Sequence, residues 1–314
     1  MNWSFSSERR FRGCQRQWYY QEMVAHHAAS DPQRRHAYVL SKLQSLSSWR
    51  GSLIDGVLTD KVMTAIGVGV RSVPTLDETI TFARQRFDTQ VEFARANRVH
   101  EKGMSPSKHA GAFAAWHAME YGQEITQGDL DKCWNEVVTC IQNFYSMPDV
   151  IQELRSAIRC ISQRPLSFEH DGVTIKAIPD VIAFRRQKPP LIVDWKTYSV
   201  DSRDHWLQLA CYAIALARCN PHKDFPQIAS RLSPNSIQLL EIQLLTKKKR
   251  VYQLSDDDCS EVEDFISRSS YTMQLAIGEI SKKTIEPERF PVASSPTTCQ
   301  FCSFKRICWE DSCL

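Results

Sequence analysis

The sequence predicts an α/β protein whose sheet lies in the second half of the chain. Three observations carry this. Apolar residues recur at helical spacing up to about residue 163. From Pro165 onward the pattern changes to short runs of β-branched and aromatic residues divided by turn signals. The stretch from Pro287 to Leu314 has neither periodicity and carries four of the eleven cysteines.

Taken in order, segments 36–66, 77–98, 108–122, 128–145 and 149–162 have the apolar spacing of helices. Val73-Pro74 and Ser105-Pro106-Ser107 break the chain between them. LSFEHDGVTIKAIPDVIAF and PPLIVDWKTYSV then read as strands, with Asp171-Gly172 as a hairpin turn. Residues 203–218 return to helical spacing. SIQLLEIQLL and KRVYQL read as two further strands joined at Thr246–Lys249, and 257–281 as a last helix. The expected organisation is a helical half over 1–163, a core with a sheet of four or five strands over 164–285, and a cysteine-rich tail over 286–314.

Apolar residues make up 42% and charged residues 24% of the 314, the composition of an ordinary folded domain. No apolar run approaches the roughly 20 residues that span a bilayer. The opening, MNWSFSSERRFRGCQRQWYY, is arginine-rich and lacks the apolar core of a leader. These features predict a cytoplasmic protein with no membrane partner. The net charge of +3, from 39 basic and 36 acidic residues, does not by itself point to nucleic acid. The basic clusters Arg9–Arg16, Arg34–Arg35 and Lys247–Arg250 read as solvated faces. In a reducing compartment the cysteines are not a disulfide framework. Cys133, Cys140, Cys160, Cys211 and Cys219 stand singly in apolar segments and read as small buried hydrophobes.

The chemistry centres on Pro179-Asp180 and Asp194-Trp195-Lys196. Each aspartate borders an apolar strand-like run, where a carboxylate is expensive to desolvate unless something pairs with it. Two such acids on adjacent strands can converge on one hard divalent cation, magnesium or manganese. Lys196 lies two residues after Asp194 and therefore points to the same face of the strand. There it can orient an attacking water and stabilise the charge that develops on a phosphodiester. A lone D-x-K is common as a cross-strand salt bridge; the Pro-Asp fourteen residues upstream sets this one apart. Gln208 and Tyr212 share a face of the next helix at i and i+4.

The tail contains Cys299, Cys302 and Cys308 in a C-x2-C-x5-C pattern, which implies a metal or redox site. The fourth ligand is Cys313 nearby or Cys14 at the far end of the chain. Four thiolates suit zinc or an iron–sulfur cluster.

The order of these motifs resembles the RecB-like branch of the PD-(D/E)xK nucleases, over essentially the whole chain from Ser4 to Cys308. The resemblance implies a restriction-endonuclease-like mixed sheet flanked by helices. It implies an Mg²⁺- or Mn²⁺-dependent DNA nuclease, an exonuclease or one acting on single-stranded ends. Asp180, Asp194 and Lys196 would be catalytic, with Gln208 and Tyr212 bordering the site. The metal would be held by Asp55, Asp180, Asp194 and the backbone carbonyl of Trp195. In that branch a metal-binding histidine follows a helical glycine by four residues; here the matching stretch is Gly51-Ser-Leu-Ile-Asp55, so aspartate stands in its place. Asp60 and Glu169 are lower-ranked acids. The N-terminal SFSSERRFRGCQRQWYYQ resembles the opening of iron–sulfur members, the AddB-type helicase–nucleases and the CRISPR-adaptation exonucleases. It implies a [4Fe–4S] cluster on Cys14, Cys299, Cys302 and Cys308 that closes the tail onto the N-terminus, with zinc the alternative and Cys313 a spare thiol. No G-x-x-x-x-G-K-[ST] motor motif is present, so unwinding would need a helicase partner. Repair, CRISPR adaptation and anti-phage defence all use such nucleases. Arg9, Arg10, Arg12, Trp18 and Tyr19 are candidate DNA contacts. The competing reading is a non-catalytic, cluster- or zinc-stabilised DNA-binding or assembly subunit, and Asp55 in the histidine position is what favours it.

Overall fold

A computed structural model describes residues 1–67, 73–98, 106–197, 203–227, 232–279 and 284–310. The chain divides into two compact units that interleave along the sequence. The first comprises Met1–Phe5, Arg50–Arg84 and Trp134–Ser270; the second comprises Ser6–Trp49, Gln85–Cys133 and Tyr271–Leu314. The sequence-based cuts at 163 and 285 thus differ from the structural division, because Arg50–Arg84 belongs with the strands and not with the rest of the helical half.

In chain order the described elements begin with β1 (Asn2–Trp3), α1 (Phe5–Gly13) and α2 (Gln15–Tyr19). α3 (Pro32–Leu40), α4 (Leu46–Val57), α5 (Thr64–Gly67) and α6 (Leu76–Ala96) follow. Then come α7 (His117–Glu120), α8 (Gln127–Tyr145), α9 (Pro148–Arg155) and the strands β2 (Arg159–Ser162), β3 (Leu166–His170), β4 (Val173–Ala177), β5 (Val181–Phe184) and β6 (Leu191–Lys196). α10 (Arg203–Arg218), β7 (Gln238–Gln243), β8 (Lys248–Gln253), α11 (Asp256–Ile277), α12 (Pro296–Gln300) and α13 (Lys305–Glu310) complete the order. Three of the long helices start at reciprocal capping boxes. Thr75 Oγ1 accepts from Glu78 N while Glu78 returns a carboxylate to Thr75 N, and Thr126 with Asp129 and Ser255 with Asp258 repeat the device.

The first unit holds a five-stranded sheet in the order β2-β5-β6-β7-β8. The β6–β7 pair is parallel and the other pairs are antiparallel. Every residue of β5 and β6 is buried, as expected for strands covered on both faces. β8 is the exposed edge, and Lys248 and Lys249 guard it against further pairing. A second, three-stranded sheet runs β1-β4-β3. Its β3–β4 hairpin turns at Asp171 and Gly172, both with positive φ (49° and 74°), as a two-residue primed turn requires.

The parallel step from β6 to β7 is bridged through α10, which packs against strands of both sheets. That double packing explains why Leu209 to Leu216 is buried throughout, with alanines where backbones approach closely. Each fully buried Leu or Ile side chain there contributes about 1.5–3 kcal/mol.

In the second unit the tail is fastened by aromatic stacking and backbone bonds. Tyr19 stacks on Phe290 with ring centroids 4.3 Å apart, and Tyr20 on Phe304 at 5.6 Å. Trp18 donates its indole N–H to Ser7 Oγ at 2.8 Å. Trp18 and Tyr19 are 1% and 2% exposed, so they are core residues and cannot stack on nucleic-acid bases. Arg10 pairs with Glu22 and Arg12 with Glu8.

Other expectations need correction. The helix expected over 149–162 ends at Arg155, and Arg159–Ser162 is instead the edge strand β2, paired with β5. Within 108–122, Gly111 at φ 85° and Gly122 at φ 76° interrupt the chain, leaving a 3₁₀ turn at Pro106–His109 and the single turn of α7. The hairpin of β3 and β4 joins the separate small sheet. Glu169 lies on that hairpin and is exposed, away from the buried acids.

Candidate active site

The register of the large sheet assembles the site. β5 and β6 pair as Val181 with Val193, Ile182 with Ile192 and Ala183 with Leu191. Continuing that register by one residue sets Asp180 opposite Asp194. On the other side Asp194 is in register with Glu241 and Lys196 with Gln243 of β7. Side chains in register share a face, so Asp180, Asp194 and Glu241 form an acidic row across three strands with Lys196 beside it. Asp180 itself precedes β5, in the bend after Pro179, and Ile178 is 48% exposed and outside the strand.

Lys196 and Asp194 form a buried ion pair, Nζ to Oδ2 at 2.6 Å, with side chains 10% and 3% exposed. The ammonium also donates to Gln208 Oε1 at 2.8 Å, and Gln208 Nε2 donates to the Tyr212 hydroxyl at 2.6 Å. The one-face spacing of α10 therefore delivers a chain of bonds ending on the lysine. Burial, and then the charges of Asp194 and Asp180, hold the Tyr212 hydroxyl well above its usual range, so it stays a neutral phenol with a proton to donate.

Asp55 enters from α4. Gly51 lies one turn before it on the same face, where a β-carbon would sit 3.0 Å from Thr197 Oγ1. The bare glycine lets the helix approach the end of β6, and Arg50 Nη2 locks the approach by donating to Thr197 O at 2.6 Å. The helix continues as a π-segment over Leu58–Met63, a local irregularity beside the acid. Asp60, on that segment, is exposed.

Asp55 Oδ1 accepts from the Trp195 indole at 3.0 Å and from Gln163 Nε2 at 2.9 Å. Asp180 Oδ2 accepts from the Trp195 backbone N–H at 2.9 Å, and Oδ1 accepts from the same Gln163 nitrogen at 3.1 Å. The β5–β6 pairing ends at Val181 and Val193, and beyond it the Trp195 N–H turns to the Asp180 side chain. Burial, then Asp194 and Asp55, push the Asp180 carboxyl well above its usual range. Burial also raises Asp55, and its two hydrogen bonds oppose the shift. Three acids share the face with one ammonium, and their mutual repulsion is part of what raises Asp180 and Asp55. The oxygens available to a hard cation are those of Asp55, Asp180 and Asp194, with the Trp195 carbonyl. Among the described residues, no three His, Cys, Asp or Glu side chains are already drawn together at metal-binding spacing. Between Asp55 and Asp180 it is the amide nitrogen of Gln163 that stands.

Two polar residues of this face carry no sequence motif. Gln163 follows β2 directly, and nothing in its neighbourhood marks it. Glu241 is 1% exposed and is bonded by Gln243 Nε2 at 2.9 Å and Tyr252 OH at 3.1 Å, with His205 and Arg250 each at 3.4 Å. Burial alone would raise its carboxyl, but these partners outweigh burial and hold it below its ordinary value. His205 shares the helix stripe of Gln208 and Tyr212, three and seven residues before them, and that spacing is the signal that marks it.

The sequence model of the PD-(D/E)XK nuclease superfamily matches residues 2–309. The chain belongs to this superfamily. Its mixed α/β fold agrees with membership, and a nuclease of this superfamily binds nucleic acid. Among curated proteins none matches the chain. Of solved structures, the crystal structure of SSO0001 is similar at 14% identity and TM-score 0.29, covering 61% of this chain and 78% of that one. A protein from Eubacterium rectale, provisionally described as an exonuclease, is similar at 13% identity and TM-score 0.33, covering 81% of this chain and 88% of that one.

The second unit carries a separate cluster. Cys14, Cys299, Cys302 and Cys308 line one small cavity of about 20 Å³, together with Tyr20 and Phe304. Cys14 caps α2, its sulfur accepting from Gln17 N at 3.4 Å, and Cys302 Sγ accepts from Phe304 N at 3.4 Å. Burial, with the three other thiols adding to it, pushes the Cys302 thiol up to about 12. Burial raises Cys308 as well, and Arg16 opposes it. Around the cavity, His117 Nε2 lies 3.2 Å from Cys302 O, Tyr121 OH donates to Ser303 O at 2.7 Å, and Arg16 Nε donates to Phe290 O at 2.9 Å. The ten described cysteines are all free thiols. Cys313 lies outside the described residues.

Proposed function

We propose that this nuclease-superfamily chain is a divalent-cation-dependent deoxyribonuclease that hydrolyses phosphodiester bonds in DNA with single-stranded or free ends. The observation that carries the reading is the convergence of Asp180, Asp194 and Lys196 on one sheet face, with Gln208 and Tyr212 bonded in series behind the lysine. Asp55, Asp180, Asp194 and the Trp195 carbonyl would hold Mg²⁺ or Mn²⁺. When bound, the ion supplies Lewis-acid polarisation of the phosphodiester and activation of water. Asp194 pairs with Lys196 and aims it, and Gln208 fixes the direction of a second proton. The ammonium then orients water and stabilises negative charge on the phosphoryl oxygens. Tyr212, neutral and near both aspartates, has a proton to offer a phosphate oxygen. Asp55 supplies a hard oxygen where related nucleases use histidine, and the indole of Trp195 fixes its direction.

The second part of the reading is a [4Fe–4S] cluster on Cys14, Cys299, Cys302 and Cys308. What supports it is that the four thiols line one cavity, a donor set that suits an iron–sulfur cluster or zinc, and that the resemblance of the N-terminal segment and the cysteine triplet to iron–sulfur nucleases favours the cluster. Its loading requires thiols such as Cys302 to release protons held by burial, so cluster and fold would be coupled. We place the protein in the cytoplasm, with DNA as its substrate and a helicase or a repair or defence assembly as its partner.

The test is anaerobic purification followed by incubation with end-labelled linear and closed circular DNA, single- and double-stranded, with Mg²⁺, Mn²⁺ or EDTA. The expected result is cation-dependent digestion of free-ended strands by a brown protein, lost in Asp194→Asn. Colour and iron should both disappear in Cys302→Ser. A colourless, zinc-containing protein that binds DNA without cutting it would replace this reading by that of a binding or assembly subunit.

A further inference from the structure

Gln163 sits at the centre of the acid site although no motif announces it. It is the first residue past β2, with φ of 48°. A side-chain-bearing residue in that left-handed region costs on the order of 1 kcal/mol and persists only where its surroundings demand it. What surrounds it is the acid pair. Its backbone N–H donates to Asp180 O at 3.0 Å. Its side-chain Nε2 donates to Asp55 Oδ1 at 2.9 Å and to Asp180 Oδ1 at 3.1 Å. One amide nitrogen thus lies between the two carboxylates assigned above to a cation, and the strained backbone is what brings it there.

A carboxamide has two unlike ends, a donor NH₂ and an acceptor oxygen. Facing two anions, only the NH₂ end is attractive. Facing a divalent cation between those anions, the NH₂ end is repelled and the oxygen becomes a neutral hard ligand of the kind Mg²⁺ and Ca²⁺ accept from Asn and Gln. Rotation about the terminal torsion exchanges the two ends with no movement of the backbone, and that torsion is soft. We propose that Gln163 is a two-state cation-site residue: its Nε2 clasps Asp55 and Asp180 together in the cation-free protein, and its Oε1 joins them as a ligand when the cation binds. The proposal rests on the reading of Asp55, Asp180 and Asp194 as a cation site and adds a residue to it.

The test is calorimetric titration of the full chain with Mn²⁺ alone, without DNA, for the native protein and for Gln163→Ala, Gln163→Glu and Asp180→Asn, paired with thermal unfolding with and without Mn²⁺. Gln163→Ala should weaken Mn²⁺ binding by about tenfold or more, the scale of losing a group that ligates or orients ligands. It should also shrink the rise in Tm that Mn²⁺ produces. Gln163→Glu keeps an oxygen at the same reach and should bind Mn²⁺ at least as tightly as the native protein, while its cation-free Tm falls because four carboxylates then meet. Unchanged or tighter binding in Gln163→Ala would show the amide to be a structural bridge or an obstacle and would overturn the proposal. Should the alanine variant fail to fold, weaker binding in Gln163→Glu overturns it equally. Native-like Mn²⁺ binding in Asp180→Asn would remove the cation site itself, and both readings would fall. Loss of binding in Asp180→Asn with none in Gln163→Ala would remove only the role of Gln163.

Discussion

Replacing Lys196 with methionine removes the ammonium while keeping an unbranched stem of similar length in the sheet–helix interface. Asp194, 2% exposed, is then left as a buried carboxylate without its partner at 2.6 Å, and Gln208 Oε1 loses a donor at 2.8 Å. Removing one member of a buried pair costs about 3–5 kcal/mol, whereas replacing both members with groups that need no counter-charge is often close to neutral. For a protein of this size each kcal/mol lowers Tm by about 2–4 °C, so Lys196→Met in cation-free buffer should lose roughly 6–20 °C. Lys196→Met combined with Asp194→Asn should recover most of that loss, to within about 1–2 kcal/mol of the native protein, because no unpaired charge remains. Circular dichroism during denaturant unfolding of the four proteins gives the cycle. A loss under about 1 kcal/mol for Lys196→Met, or single losses that simply add in the double variant, would refute the buried pair as the structural centre of the site. Cleavage should be absent from all three variants, so the stability cycle separates the fold's need for the pair from the chemistry's need for the lysine.

Three further outcomes follow from the same geometry. Asp180 is held above its ordinary value of 3.8, so its protonated form favours the cation-free fold, and the stability tied to that proton is lost as pH rises from about 3.8 through the folded value; Asp180→Asn should therefore leave the cation-free Tm at pH 7 unchanged or higher and abolish its rise with Mg²⁺, and a fall of several degrees without cation would contradict this. Glu241 is held below its ordinary value of 4.5, so the stability it contributes is present above that pH and is lost as pH falls toward the folded value; Glu241→Gln should be less stable than the native protein at pH 7, and unfolding curves should show the gap closing as pH drops below about 4.5. Gly51→Ala should gain up to about 1 kcal/mol of helix propensity and lose about 1–3 kcal/mol to crowding against Thr197, so its stability falls modestly. Its cleavage rate should fall more steeply, because Thr197 directly follows Lys196; full activity would show that the close approach of the helix does not position the lysine.

Much of the site was legible because strand geometry is regular. Residues two apart on β6 must share a face, so Asp194 and Lys196 could be placed together without a structure, and i to i+4 spacing placed Gln208 with Tyr212. Cys14 lines one cavity with Cys299, Cys302 and Cys308, whereas spacing alone left Cys14 and Cys313 equally open beside the triplet. What was not legible depends on single residues. Gln163 acts through one left-handed backbone angle, which leaves no periodic trace. Glu241 reads as a polar interruption in an apolar strand until the parallel register with Asp194 is known. Val150, Leu154, Ile158 and Ile161 keep a nearly helical spacing across the end of α9 into β2, so the change of structure after Arg155 is hidden. The strand β1 is two residues long, below the length at which alternation can be seen, and the second sheet was missed with it.

The most direct test of the central claim compares cleavage and binding in one experiment. Native protein and Asp194→Asn are incubated with an end-labelled single strand, with Mg²⁺ for cleavage and with EDTA for binding. The account predicts Mg²⁺-dependent digestion by the native protein only, with both proteins binding the strand with comparable affinity in EDTA. A native protein that binds the strand and leaves it intact in Mg²⁺ and in Mn²⁺ would contradict it.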